Sequence, residues 1–330
     1  MISDLKVVIV GYGSIGKRHC KNLSKIKDIQ CSVVTSQKKI NLPSKNFQKF
    51  SSLDDCLKSQ PDVALITNES YLHVKSAIKL AKSGCHLFIE KPLSNNLCDI
   101  KKLLEIVKKK KLISLMGCNL RFHPCLIKIK KLISTKKLGR ILFVQAEHGS
   151  YLPDWYPNEN YKKNYASQKK LGGGVVLTSI HELDYLYWIL GDITETFSVT
   201  GRFSDLGINA DDLSSILLKF KNNAIGEVHL DYFQKPSNRG CKIVGTKGTL
   251  TWNISKNTVN FFNNKTRKWQ KLFEMKNFDF NSTYIKEIEY FLQCSKNNKK
   301  TINDLKQGVQ VLKIALKVLK SSRSKKMEKI

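Results

Sequence analysis

No apolar run in the chain approaches the roughly 20 residues that a membrane helix requires. The opening residues, MISDLKVVIVGYG, enter a strand-like stretch at once and lack the layout of a signal peptide. Both absences point to a cytoplasmic protein with no membrane partner. The nine cysteines include no CxxC and no regular spacing, and their number is odd. That sets aside a disulfide framework and a zinc site in favour of reduced thiols, and no metal is expected. Acidic residues are scarce: 27 Asp and Glu stand against 57 Lys and Arg, a formal charge of +30. The lysines are spread along the whole chain, and the runs at 108–111 and 321–329 lack interleaved aromatics that could stack on bases. The charge therefore reads as a solvated surface that helps attract anionic substrates, with no specific nucleic-acid partner. No internal repeat is present.

What the chain does have is length and apolar content for about two domains: 330 residues, 41% of them hydrophobic. Leu5–Val10 is a short run rich in β-branched residues, followed at once by GYGSIG, Gly11 to Gly16, and a helix-like segment from Ser14 to about Lys25. Strand, glycine loop and helix in that order is the context of a dinucleotide fingerprint. Gly11 permits the tight turn, Gly13 lets the backbone approach a pyrophosphate, and Gly16 allows close helix–strand packing. Tyr12, Ser14 and Ile15 complete the loop, whose helix N-terminus faces the phosphates. The second strand, 30–34, ends in Thr35, Ser36, Gln37, Lys38 and Lys39. No carboxylate stands there to hold a ribose 2′-hydroxyl, while Thr35, Ser36 and Lys38 could receive a 2′-phosphate. NADP, or use of both NADP and NAD, is favoured over strict NAD, beside the plainer possibility that these are loop residues. Further strands at 62–67, 85–89 and 112–117 alternate with helices at 73–83 and 98–110, a βαβ pattern that makes a doubly wound parallel sheet. The first domain is placed at 1–118 and the second at 119–330.

In the second half, Leu171 to Gly191, LGGGVVLTSIHELDYLYWILG, stands out. Val176, Ile180, Leu183 and Leu186 recur at helical steps, and Thr178, His181, Asp184 and Tyr185 would share another edge of the same helix. His181 is a candidate site residue, beside the ordinary reading of a satisfied core histidine. Tyr151, Trp155, Tyr156, Tyr161 and Tyr165 crowd the polar loop just before the glycines and suit a sugar-binding wall or lid, or a subunit contact. Strands at 141–147, 194–200, 213–220, 224–232, 239–244, 248–254 and 258–262 read as a large, mainly antiparallel sheet. Helices are expected at 126–132, 284–294 and 303–319, with a lysine-rich tail that frays.

ITNESYLHVKSAIKLAKSGCHLFIEKPLS (66–94), GCNLRFHP (117–124) and GGGVVLTSIHELD (172–184), in that order after GYGSIG, resemble the motifs of the glucose-fructose oxidoreductase/inositol dehydrogenase/MocA family. The likeness spans about Val7 to Gly191 and continues more loosely beyond. It implies an N-terminal Rossmann domain followed by an α/β domain whose large sheet makes homodimers or homotetramers. It also implies that Thr67, Asn68, His73, Glu90, Lys91 and Asn119 line the nicotinamide half of the cofactor, that the Lys91–Pro92 bond is cis, and that Lys91 meets substrate as well. Arg121, Tyr151, Trp155, Thr178 and His181 are expected on the substrate side. Hydride transfer needs a group that takes the hydroxyl proton and a charge that steadies the alkoxide, roles that suit His181 and Lys91, brought together from the two domains. Thr178 stands where many members have Asp and cannot supply a negative charge to the histidine.

The expected activity is an NAD(P)-dependent dehydrogenase or reductase of a sugar or nucleotide-sugar, such as serve surface-glycan synthesis. Two alternatives remain: elimination or hydrolysis assisted by transient oxidation with tightly bound cofactor, and a non-catalytic cofactor-binding regulatory protein.

Overall fold

The computed structural model describes residues 5–155, 157 and 159–330. Residues 1–4 and Tyr156, one of the aromatics counted above, lie outside them. The chain packs into two compact units, Met1–Asn119 with Phe280–Leu312, and Leu120–Asp279 with Lys313–Ile330.

In the first unit the order along the chain is β1 (Leu5–Val10), α1 (Ser14–Leu23), β2 (Ile29–Val34), β3 (Phe47–Phe50), α2 (Leu53–Leu57), β4 (Val63–Ile66), α3 (His73–Ser83), β5 (His86–Glu90), α4 (Ile100–Lys109) and β6 (Ser114–Gly117). Among the described residues six parallel strands lie in the order β3-β2-β1-β4-β5-β6. The order reverses between β1 and β4, and ligands of such sheets bind outside the strand ends at that point. Both faces are covered, so β4 and β6 are buried at every residue and read as unbroken apolar runs. β3 and α2 were not foreseen, being short and polar (FQKF, LDDCL).

The second unit carries α5 (Pro124–Ser134), β7 (Ile141–Gly149), α6 (Val175–Thr178), α7 (His181–Leu190), β8 (Ile193–Gly201), β9 (Leu213–Phe220), β10 (Ile225–Asp231), β11 (Asn238–Gly245), β12 (Gly248–Asn253), β13 (Thr258–Asn263) and β14 (Lys268–Glu274). The chain ends with α8 (Asn281–Lys296), α9 (Leu305–Ser324) and β15 (Glu328–Lys329). Among the described residues the second sheet has nine strands, β14-β13-β12-β11-β7-β10-β9-β8-β15, antiparallel except where β10 runs parallel to β7. One face packs under helices: the Ser198 hydroxyl donates to Val318 O of α9 at 2.7 Å. The other leaves Val199, Leu217 and Ile225 exposed.

Two expectations need correction. Residues 280–312 do not belong to the second domain: Ile288, Phe291 and Leu292 of α8 are part of the first unit's core with Phe88 and Leu115. Thr301 and Asn303 also bond the outer edge of β6, through Ser114 O and Met116 N. The tail does not fray either. β15 pairs with β8, and Glu328 holds the ammonium groups of Lys317 and Lys320 at 3.2 and 2.9 Å.

Candidate functional site

The glycine loop leaves β1 where backbone crowding dictates its residues. Gly11 has φ +104°, and a Cβ there would fall 2.6 Å from Asn68 N. At Gly16 a Cβ would meet Gly11 O at 2.3 Å and the Thr67 hydroxyl at 2.9 Å. Gly13 differs: a Cβ there would meet nothing within 4 Å. It caps α1 with no side-chain acceptor, and no acid lies in the first turn. Open space over N-terminal amides free of a competing carboxylate fits a pyrophosphate. Ser14 is exposed and Ile15 partly so, whereas Tyr12 turns inward, 6% exposed within the core, its hydroxyl bonded to Asn41 O.

The ends of β4 and β5 gather most of the other residues assigned to the cofactor. The Thr67 hydroxyl donates to Val10 O and Gly11 O, both at 3.0 Å, and so ties β4 to the glycine loop. Asn68 donates to the Ser76 hydroxyl at 3.1 Å, while its Oδ1 is buried without a partner among the described residues. An orphaned acceptor beside the glycine loop fits an amide or hydroxyl donor from a bound nucleotide. Buried His73 lies 2.9 Å from both Pro92 O and Asn68 O. Burial pushes its pKa down, against the pull of those two carbonyls. It thereby links the loop after β4 to the loop after β5, where Lys91–Pro92 is cis. Glu90 accepts from Lys91 N at 3.2 Å, and its other oxygen lies 2.7 Å from Nε2 of His19, which is wholly buried. Lys91 is partly exposed at the strand's carboxyl end. Asn119 is buried and donates to the Thr283 hydroxyl at 2.8 Å.

At the end of β2, Thr35 is buried and its hydroxyl accepts from Gln37 N at 3.3 Å. Ser36 and Lys38 are exposed.

In the second unit the segment after the glycines is two helices, not one. Gly174, at φ +109°, begins α6, which ends at Thr178. Ser179 departs from helical geometry at ψ 34°, and α7 opens on His181. The apolar spacing runs through the break, which is why the sequence reads as continuous. Thr178 is 5% and His181 7% exposed. The polar edge expected to join them is divided: Tyr185 is fully buried, and Asp184 is bound by Arg121 through contacts of 2.8 and 3.0 Å. Arg121, 1% exposed, is the largest of the fully buried side chains. Expected on the substrate side, Arg121 stands in a buried ion pair that holds α7, its planar fork gripping the Asp184 carboxylate. Arg239 and Glu182 form a second such pair at 2.8 Å. His148 lies 3.1 Å from the Ser179 hydroxyl and stacks on Trp155, whose indole donates to the Ser150 hydroxyl at 2.8 Å. The Tyr151 ring lies 3.9 Å beneath the Lys235 ammonium, and the Tyr161 hydroxyl donates to Leu206 O at 2.9 Å. Sequence spacing could reveal none of the pairs His19–Glu90, Arg121–Asp184 or Glu182–Arg239, because each joins residues more than fifty positions apart. Among the described residues no cluster of three His, Cys, Asp or Glu could hold a metal, and no helix is long and apolar enough to cross a membrane.

A parallel sheet with a glycine loop at its switch point, followed by a mainly antiparallel sheet, defines the class of NAD-binding oxidoreductases with a Rossmann fold. Residues 5–118 match the oxidoreductase family with an NAD-binding Rossmann fold, and residues 126–251 match the GFO/IDH/MocA C-terminal domain. The chain belongs to the Gfo/Idh/MocA family. It is 23% identical to the myo-inositol 2-dehydrogenase of Thermotoga maritima, with 99% of each chain covered. It is 27% identical to the 2,7-anhydro-N-acetylneuraminate hydratase of Escherichia coli, over 61% of this chain and 54% of that one. In fold it is similar to a levoglucosan dehydrogenase in complex with NADH and L-sorbose, at a TM-score of 0.88, 18% identity and coverage of 99% and 98% of the two chains.

Proposed function

We propose that the protein is an NAD(P)-dependent dehydrogenase or reductase acting on a hydroxyl or keto carbon of a sugar or nucleotide-sugar, with Lys91 and His181 as its catalytic residues. The observation that carries this reading is the arrangement at the end of β5. Glu90 is engaged by His19 and the Lys91 amide, His73 braces the loop that follows, and Lys91 stands partly exposed at the carboxyl end of β5. Bound nicotinamide would supply the hydride acceptor in oxidation and the donor in reduction. His181 takes the hydroxyl proton as the carbinol C–H bond breaks, and returns it in the reverse direction. The Lys91 ammonium stabilises the charge that develops on the oxygen. Thr178 donates or accepts a hydrogen bond to a sugar hydroxyl, and Tyr151 and Trp155 offer apolar ring faces to the sugar.

NADP(H) binds at least as tightly as NAD(H), because 35–39 offer hydroxyls and ammonium groups and no carboxylate. Fluorescence titration of both reduced cofactors tests this, and a tenfold preference for NADH contradicts it. Native mass spectrometry of the purified protein would identify a retained cofactor and sugar together. The exposed face of the second sheet, with Val199, Leu217 and Ile225, is assigned to a homodimer or homotetramer contact.

Thr178, in place of a carboxylate, and the likeness to a hydratase favour one second reading. In it a bound nicotinamide would supply transient hydride storage, and His181 and Lys91 would manage the substrate's protons and charge through an elimination that leaves no net change in NAD(P)H.

A further inference from the structure

His73 is the first residue of α3, its side chain is buried, and each of its ring nitrogens faces a carbonyl oxygen. Nδ1 lies 2.9 Å from Pro92 O and Nε2 lies 2.9 Å from Asn68 O. A carbonyl only accepts, and a neutral imidazole carries a single N–H. With one proton on the ring, one of the two contacts sets lone pair against lone pair. Both are hydrogen bonds only for the imidazolium, which donates from each nitrogen. Burial opposes that charge and pushes the pKa of the ring down, and the N-terminal end of a helix disfavours a cation as well. The charged groups that face the ring are both carboxylates: Glu90 at the end of β5, and the exposed Glu69 on the loop after β4. α4, which packs on α3, sets no charge against it.

The two carbonyls belong to the loops that would receive a dinucleotide. The Asn68 backbone is packed on the glycine loop, its nitrogen 2.6 Å from where a Cβ on Gly11 would sit, and Pro92 directly follows Lys91. We propose that His73 is a positioning residue that works as an imidazolium, stapling the loop after β4 to the loop after β5, and that the protein takes up a proton there when it binds a dinucleotide. In the free protein the lowered pKa leaves the ring neutral near pH 7, and one of the two loops loses its donor. A dinucleotide needs both loops in place and brings an anionic diphosphate, so by linkage its binding favours the protonated ring. Affinity therefore rises as pH falls, and levels off below the pKa of the free ring, which lies under 6.5. The proposal rests on the dinucleotide reading of the first unit and deepens it by tying cofactor affinity to a proton.

The test is calorimetric titration of NAD⁺ into the wild type and His73→Gln between pH 6 and pH 8, in buffers of different ionisation enthalpy, which count the protons taken up. NAD⁺ is used because the 2′-phosphate of NADP⁺ itself titrates at about pH 6. Wild-type affinity should rise roughly tenfold from pH 8 to pH 6, with up to about one proton bound per dinucleotide. Glutamine donates to one carbonyl and does not titrate. His73→Gln should thus show no pH dependence, match the wild type within about threefold at pH 8 and fall behind it at pH 6. A merely structural histidine predicts an equal loss at every pH, and that result overturns the proposal. A pH dependence that persists in His73→Gln overturns it too, by handing the titration to another group such as His19 beside Glu90. The wild type decides even where His73→Gln does not fold: nitrogen NMR of labelled histidines at pH 7 should show one more imidazolium in the NAD⁺ complex than in the free protein, and no gain contradicts the proposal. Binding of NAD⁺ without proton uptake overturns this proposal and leaves the dinucleotide reading standing, whereas no binding at any pH overturns both.

Discussion

His123 shows how one side chain couples the second unit to pH. Its Nδ1 accepts from Cys125 N at 3.2 Å as the cap of α5, so the proton sits on Nε2, 3.2 Å from the Asn257 side-chain oxygen. Burial pushes its pKa down to about 4, with Arg239 adding to the fall and Asn257 opposing it. The unfolded chain, with a pKa near 6.5, therefore binds the proton first. The contribution to stability is complete above about pH 6.5 and declines as pH falls toward 4, by up to about 3 kcal/mol. His73 and His86, also lowered chiefly by burial, act in the same direction. Urea midpoints between pH 7.5 and 4.5 should fall in the wild type and fall less steeply in His123→Asn, which keeps a capping acceptor. Equal slopes would mean that His123 does not titrate in this way. At this scale the sequence singled out a residue only where a motif marked it, as at Lys91 and His181, whose catalytic roles are the proposal made above. Arg121 carried a motif too, yet its buried partner Asp184 lies far along the chain, and spacing could not tell a ligand contact from an ion pair.

Among elements, the two glycine segments differ in why they need glycine, and substitution separates the reasons. At Gly174 the positive φ and a carboxylate oxygen of Asp211, 2.6 Å from where a Cβ would sit, make Gly174→Ala costly, by about 1–3 kcal/mol. At Gly13 the space is open, so Gly13→Ala should keep its unfolding free energy within about 1 kcal/mol of the wild type and yet weaken dinucleotide binding, since the methyl occupies the pyrophosphate's approach. Unaltered cofactor affinity in Gly13→Ala, measured by fluorescence titration, would remove that loop from the binding site. Strands buried on both faces, such as β4, were readable as apolar runs. The break between α6 and α7 was not, because Ser179 interrupts the backbone without interrupting the apolar period. β15 was missed because its pairing depends on β8 and on Glu328 meeting two lysines, neither of which a lysine-rich tail advertises.

Across the whole molecule, the parallel, doubly wound character of the first sheet followed from alternating strands and helices, whereas its strand order and the return of Phe280–Leu312 to the first unit did not. Amphipathic spacing says that a helix has a buried face and leaves open which sheet it covers. The exposed face of the second sheet carries a testable consequence. Leu217 stands between Phe197 and Glu227 on adjacent strands, and light scattering after size exclusion should give a mass above 37.7 kDa that falls in Leu217→Lys. A monomeric wild type would contradict the assignment of that face. The central claim, hydride transfer at a sugar carbon by Lys91 and His181 acting as one unit, is tested most directly by absorbance at 340 nm. Turnover would be followed over a panel of sugars and nucleotide-sugars for the wild type, Lys91→Met, His181→Ala and the double variant. Each single variant should lose roughly 10²–10⁴-fold in kcat, with the double hardly worse than the poorer single. Near-normal turnover in His181→Ala would return that histidine to the core and contradict the account.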